Sequence, residues 1–87
     1  MTEEEFIQIF EGDSDNWEGD NAFQGLQIIA KYIDPAKHII IDGAGHDELW
    51  SVDISKIIEA GITRDDVVAL RKLNWSLNDD TYLMLFV

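Results

Sequence analysis

Ile62-Thr63-Arg64-Asp65-Asp66-Val67-Val68-Ala69-Leu70-Arg71-Lys72-Leu73-Asn74-Trp75-Ser76-Leu77-Asn78-Asp79-Asp80-Thr81-Tyr82-Leu83-Met84-Leu85-Phe86-Val87 is the stretch that decides the fold. It reads as a capped helix, a tight corner and a β-hairpin. The Thr63 hydroxyl is placed to accept from the backbone N–H of Asp66, one of the donors a helix start leaves unpaired. Asp65 and Asp66 follow in the first turn, where the helix dipole favours negative charge, and Arg71 and Lys72 fall in the last turn, where it favours cations. Val67, Leu70 and Leu73 recur at helical spacing and are expected to face inward. Asn74 suits the left-handed conformation that ends a helix. Trp75 to Leu77 then reads as a short strand, Asn78 to Thr81 as its turn, and Tyr82 to Val87 as the returning strand. That last strand is apolar on both alternating faces. Either both faces are buried within one chain, the reading preferred here, or one lies in an oligomer interface.

The chain has 87 residues, which suits one domain and not two. Its hydrophobic fraction of 46% is too high for a disordered chain. With no cysteine, there is no disulfide framework, thiol catalysis or Cys-based zinc site, and a cytoplasmic location is expected. The acidic start, Met1-Thr2-Glu3-Glu4-Glu5, lacks the basic-then-apolar order of a signal peptide, and no apolar run approaches a membrane span.

Charge is the dominant feature, with 18 acidic residues against 6 basic and a net of −12. It is also uneven. Residues 1–30 carry Glu3, Glu4, Glu5, Glu11, Asp13, Asp15, Glu18 and Asp20 and no Lys or Arg. Such a surface repels nucleic acid and anionic membranes and attracts basic partners. Direct nucleic-acid binding is not expected, because a basic footprint is missing. The simpler reading of the acidity is that it keeps the protein in solution.

Earlier in the chain, Thr2 is expected to cap a helix over residues 2–11, with Phe6, Ile7 and Phe10 as its core-facing stripe. Gly12 to Asp20 is a polar loop. Its Asp13 and Asp15 invite a calcium reading, but an EF-hand loop from Asp13 needs glycine sixth and glutamate twelfth, where Glu18 and Gln24 stand. Trp17 in this loop is read first as a lid over the core, and otherwise as an exposed anchor ringed by carboxylates. Asp20 or Asn21 caps a helix over residues 21–33, with Phe23, Leu26, Ile29, Ala30 and Ile33 inward. Gly25 inside that helix implies a close backbone approach. Asp34-Pro35 ends it.

His38 to Ile41 reads as a strand, Asp42 to Gly45 as a turn and Glu48 to Val52 as the returning strand. His38, His46, Asp42, Asp47 and Glu48 offer metal-ligating groups without a regular zinc spacing. No nucleophile elbow surrounds Ser14, Ser51, Ser55 or Ser76. Asp53 is expected to cap a short helix over Ile54 to Ala60, stopped by Gly61. The whole is a single α+β domain in the order α-α-β-β-α-α-β-β. A terminal helix with a hairpin also fits a winged helix. A recognition helix there would be basic, whereas Arg64, Arg71 and Lys72 are offset by Asp65 and Asp66.

Several strings together carry a resemblance: Gly19-Asp20-Asn21-Ala22-Phe23-Gln24-Gly25-Leu26-Gln27-Ile28-Ile29, His46-Asp47-Glu48-Leu49-Trp50-Ser51-Val52, Ala60-Gly61-Ile62-Thr63, Leu73-Asn74-Trp75 and the aromatic C-terminus. In these the chain resembles small acidic proteins of bacteriophages and prophages. The resemblance implies a small cytoplasmic α+β protein of an infected cell, with no catalytic residue or cofactor to carry over.

The function expected is therefore a non-enzymatic acidic interaction protein. Its sharpest form is an inhibitor that occupies a basic, nucleic-acid-binding surface of a host protein, as anti-restriction and anti-CRISPR mimics do. Glu3, Glu4, Asp13, Asp15, Trp17, Glu18 and Asp20 are the expected contacts. The alternatives are a homodimer or larger oligomer built through the C-terminal strand, and a small metal-binding module using the two histidines.

Overall fold

The computed structural model describes residues 1–14 and 17–86. In chain order it holds α1 (Glu3–Phe10), α2 (Asn21–Ala30), β1 (Gly43–Gly45), β2 (Glu48–Asp53), α3 (Ile54–Glu59), α4 (Arg64–Lys72), β3 (Ser76–Asn78) and β4 (Tyr82–Phe86), the α+β order expected. Val87, the expected last residue of the terminal strand, lies outside the described residues.

The helix ends follow local chemistry. Thr2 and Glu5 form a capping box on α1, each side chain taking the other's backbone N–H. Asp20 caps α2 through the Phe23 N–H at 3.1 Å, and Thr63 caps α4 through the Asp66 N–H at 3.2 Å. Asp53 caps α3 through the Ser55 N–H at 2.8 Å. Both α3 and α4 close in the same way. Gly61 (φ +93°) and Asn74 (φ +68°) take the left-handed conformation. The residue after each, Ile62 or Trp75, then donates back to Ile57 O or Leu70 O, the 6→1 bond of a Schellman motif. Both apolar pairs are buried, so each stop also contributes to the core.

The strands form one antiparallel sheet in the order β1-β2-β4-β3. The C-terminal strand is therefore interior, with both backbone edges paired. Between Trp50↔Met84 and Asp53↔Tyr82 the register shifts, leaving Ser51 and Val52 opposite Leu83. This bulge breaks the pleat alternation, and both residues are buried. Elsewhere alternation holds. Leu49, Leu77, Leu83 and Leu85 face the helices, where they pack with Phe6, Phe10, Ile29, Ile54, Ile57, Val67, Leu70 and Trp75. The Phe6 and Phe10 rings stack with centroids 5.2 Å apart.

Three expectations are corrected. The first hairpin turns at His46-Asp47, not at Asp42 to Gly45, and residues 38–41 precede the strand that begins at Gly43. Gly43 is a close-approach glycine: a Cβ there would stand 2.8 Å from the Trp50 ring. Phe23 is 59% exposed rather than inward. Helix α2 is rotated so that Gly25 and Ile29 point to the core, because Gly25 lies against the Trp75 indole. A Cβ at Gly25 would be 2.1 Å from Trp75 Nε1, the close approach expected at that position. Finally, β4 is not buried on both faces along its length, since Tyr82 and Phe86 are exposed while Leu83, Met84 and Leu85 are buried.

Two stability changes follow. Gly25→Ala should lower the unfolding free energy by about 2 kcal/mol in urea titrations, because overpacking a rigid indole outweighs the gain of about 1 kcal/mol in helix propensity. The second hairpin turn has both central residues, Asp79 and Asp80, at positive φ. Replacing Asp79→Asn with Asp80→Gly should raise the urea midpoint at constant m-value, by about 1 kcal/mol in free energy.

Candidate functional site

The acidic residues of the first third sit at two ends of α1. Glu3 and Glu4 occupy its exposed first turn, while Glu5 is engaged in the capping box. Beyond the other end, Arg71 Nε donates to Gly12 O at 2.7 Å and Arg71 Nη1 to Trp75 O at 3.0 Å, which fixes the start of the loop to α4. Asp13 follows, exposed. Asp15 lies outside the described residues. Glu18 is exposed, and its carbonyl accepts from Gln24 Nε2. Asp20 is exposed but holds the α2 cap.

Trp17 does not close over the core as the lid reading expects. It is 40% exposed. It lines a groove of about 490 Å³ with Glu18, Gln24, Ile28, Lys31 and Leu73. The structure thus brings Trp17 and Glu18 together on one wall, and it leaves Glu3 and Glu4 apart from them. Eight helical residues at 1.5 Å per residue separate the two ends of α1 by about 12 Å, more than the Debye length of about 8 Å at physiological salt. The leading carboxylates form two patches rather than one field. Lys31 and Lys72, which also line the Trp17 groove, temper the loop patch from the facing side.

Among the described residues, no carboxylate before Lys31 takes part in a salt bridge. The ion pair present is Lys31 Nζ to Asp66 Oδ2 at 2.7 Å. The Tyr32 hydroxyl also donates to Asp66 Oδ2, and it accepts from the Thr63 N–H at 3.3 Å. The hydrogen bond from Lys31, then that from Tyr32, holds the Asp66 carboxyl below the ordinary range, against a smaller upward push from burial. The same bond raises Lys31. This cluster joins the end of α2 to the start of α4 and uses one of the few cations for structure.

Among the described residues, no three histidine or carboxylate groups converge on a point where a metal ion would sit. His38 lines a second groove, of about 870 Å³, with Lys37, Asp42, Asp53, Lys56 and Tyr82, whereas His46 is in the tip of the first hairpin. Among the described residues, no helix is long and apolar enough to cross a membrane.

Sequence reasoning missed one surface. On the sheet face away from the helices, the register aligns Trp50 with Met84 and Glu48 with Phe86, and Tyr82 lies two residues before Met84 on the same face. Of these, Tyr82 and Phe86 are exposed, Glu48 and Trp50 are half-buried and Met84 is buried. The signal was present in the i, i+2, i+4 spacing of Tyr82, Met84 and Phe86, but a strand apolar on both faces gives no indication of which of its side chains stay exposed.

No protein-family model, curated protein or solved structure matches this chain.

The Asp66 cluster predicts a pH dependence. A carboxyl held below its unfolded value contributes stability that is in place above the ordinary carboxylate pKa of about 4 and is lost as pH falls through the lowered value. Asp66→Asn should therefore be less stable than wild type near neutral pH. In urea titrations across pH, the gap should narrow below about pH 4.

Proposed function

We propose that this is a non-enzymatic acidic interaction protein that occupies a basic, nucleic-acid-binding surface of another protein. Asp13, Asp15, Trp17, Glu18 and Asp20 form the main contact in this reading, with Glu3 and Glu4 as a separate flanking patch. The observation that carries it is an exposed tryptophan in a loop whose described carboxylates are exposed and outside any salt bridge. Desolvated tryptophan is a frequent interface anchor, and surrounding carboxylates select a cationic partner.

The charge magnitude supports mimicry. Duplex DNA carries one charge per ~1.7 Å, so a net charge of −12 corresponds to about 20 Å of duplex. The molecule measures 32 × 29 × 23 Å, so the two charge densities are of the same order. The resemblance to phage proteins supplies the partner class, a nucleic-acid-binding protein of the host cytoplasm. A homodimer through the C-terminal strand is the second reading, favoured by the exposed side chains of Tyr82 and Phe86. It has no free backbone edge on β4 to use.

Affinity capture from bacterial lysate tests the first reading, at about 50 and 500 mM salt and with and without competitor duplex DNA. Wild type should retain a nucleic-acid-binding protein at low salt and release it to salt or DNA. A variant with Asp13, Asp15 and Asp20 changed to Asn and Glu18 to Gln should lose at least about tenfold in capture, and Asp20→Asn keeps the helix cap. Trp17→Ala should weaken capture about thirtyfold if it is an anchor. Capture indifferent to salt, DNA and the amide changes would rule out mimicry.

A further inference from the structure

The groove beside Trp17 is lined by α2 and α4 together. Gln24, Gln27, Ile28 and Lys31 stand at i, i+3, i+4 and i+7 along α2 and its C-cap, which places them on one helical face. Ala69, Lys72 and Leu73 follow the same spacing on α4 and its C-cap. Ile28, Ala69 and Leu73 are half-buried and give the groove its apolar lining, while Gln27, Lys31 and Lys72 are exposed and give it polar groups. Gln24 Nε2 donates to the Glu18 carbonyl, and Gly19 turns the chain at φ +83° toward the α2 cap. This fixes the residue that follows Trp17. At about 490 Å³ the groove falls within the size range of small-ligand sites, roughly 300–1,000 Å³.

The charge of the lining sets this groove apart. Two lysines face one carboxylate, Glu18, on a chain whose net charge is −12. The groove around His38 carries Asp42, Asp53 and Glu59 against Lys37 and Lys56, and a small cleft at Arg71 carries Glu11 and Asp80. Among the described residues Lys72 takes part in no salt bridge, and the Lys31 side chain stays 56% exposed while it pairs with Asp66. The groove therefore joins three groups that rarely meet on so acidic a surface. An exposed indole stacks on any nucleobase. A glutamine amide can hydrogen-bond the edge of a base. An ammonium group holds a phosphate. A long strand would carry its further phosphates over an acidic body, so charge selects a single nucleotide.

We infer that this groove binds a free nucleoside monophosphate. The base stacks on Trp17 and presents its edge to the Gln27 amide, and the phosphate meets Lys72 with Lys31 beside it. Gln24 is a positioning residue, since its amide is engaged by the Glu18 carbonyl. The site goes beyond the mimicry reading. It shares the Trp17 indole with that reading but calls for a ligand of opposite charge, so the two differ in sign at Glu18.

The test is a nuclear magnetic resonance titration of the isotope-labelled full chain with adenosine 5′-monophosphate, adenosine and inorganic phosphate, which separate ring from charge. The nucleotide should move the Trp17 indole N–H and the Gln27 side-chain amide saturably. Adenosine should bind about tenfold more weakly, at about threefold per lost lysine contact, and phosphate alone should leave the Trp17 signal in place. Trp17→Ala should weaken nucleotide and adenosine alike by at least about fivefold. Lys72→Gln should weaken the nucleotide about threefold and leave adenosine unchanged, a split that a folding defect would not produce. Glu18→Gln should strengthen nucleotide binding about twofold, whereas under the mimicry reading the same change weakens capture of a basic protein. Three outcomes would overturn the proposal: no saturable Trp17 shift by about 10 mM nucleotide, ten times a millimolar dissociation constant; equal affinity for nucleotide and adenosine; or nucleotide affinity unaltered in Lys72→Gln. Each leaves the lysate capture result, and with it the mimicry reading, untouched.

Discussion

The Trp75 indole on the backbone of Gly25 is the contact on which the rest of the arrangement depends. Trp75 is fully buried, and its Nε1–H donates to Asn21 O at 3.1 Å. Asn21 Nδ2 donates in turn to Leu73 O at 2.7 Å. The two bonds run in opposite directions between the start of α2 and the corner after α4, so the ring can be buried without an orphaned N–H. The absence of a side chain at Gly25 is what allows the ring to lie there. That requirement sets the rotation of α2, turns Phe23 outward and brings Lys31 and Tyr32 to Asp66.

The same corner launches β3, and β4 then inserts between β3 and β2 instead of remaining at an edge. Antiparallel pairing on both sides fixes β4 firmly and leaves the three-residue strands β1 and β3 as the edges, short enough to limit edge-to-edge pairing. One consequence is functional. The interior strand alternates core leucines with Tyr82, Met84 and Phe86 on the opposite face, so the strand most central to the sheet also carries two exposed aromatic side chains, Tyr82 and Phe86, on either side of the buried Met84.

Electrostatics divides along similar lines. Lys31 and Arg71 hold internal partners, Asp66 for one and the Gly12 and Trp75 carbonyls for the other. These attachments organise the fold and remove part of the small cationic complement from the surface. The carboxylates are left with α1 separating one group from the other, and with further acids at both hairpin tips. The molecule therefore presents its exposed acids in a loop beside the exposed Trp17, at the first turn of α1 and at the hairpin tips.

Much of this was legible in the sequence because it is local. Thr2, Asp20, Asp53 and Thr63 cap helices through hydrogen bonds to N–H groups within three residues, and Gly61 and Asn74 end helices through their own φ. Such signals depend on near neighbours alone, so element order and most boundaries could be read from the chain. Gly43 reads as part of a turn in the sequence but lies in a strand, because its role depends on the Trp50 ring of the neighbouring strand. Likewise, the outward Phe23, the exposure of Trp17, the separation of Glu3 and Glu4 from the loop, and the exposure of Tyr82 and Phe86 beside a buried Met84 all depend on which elements meet in space. Sequence determined where helices and hairpins start and stop; tertiary packing alone decided which face of each is buried, since burial is a relation between segments and not a property of one.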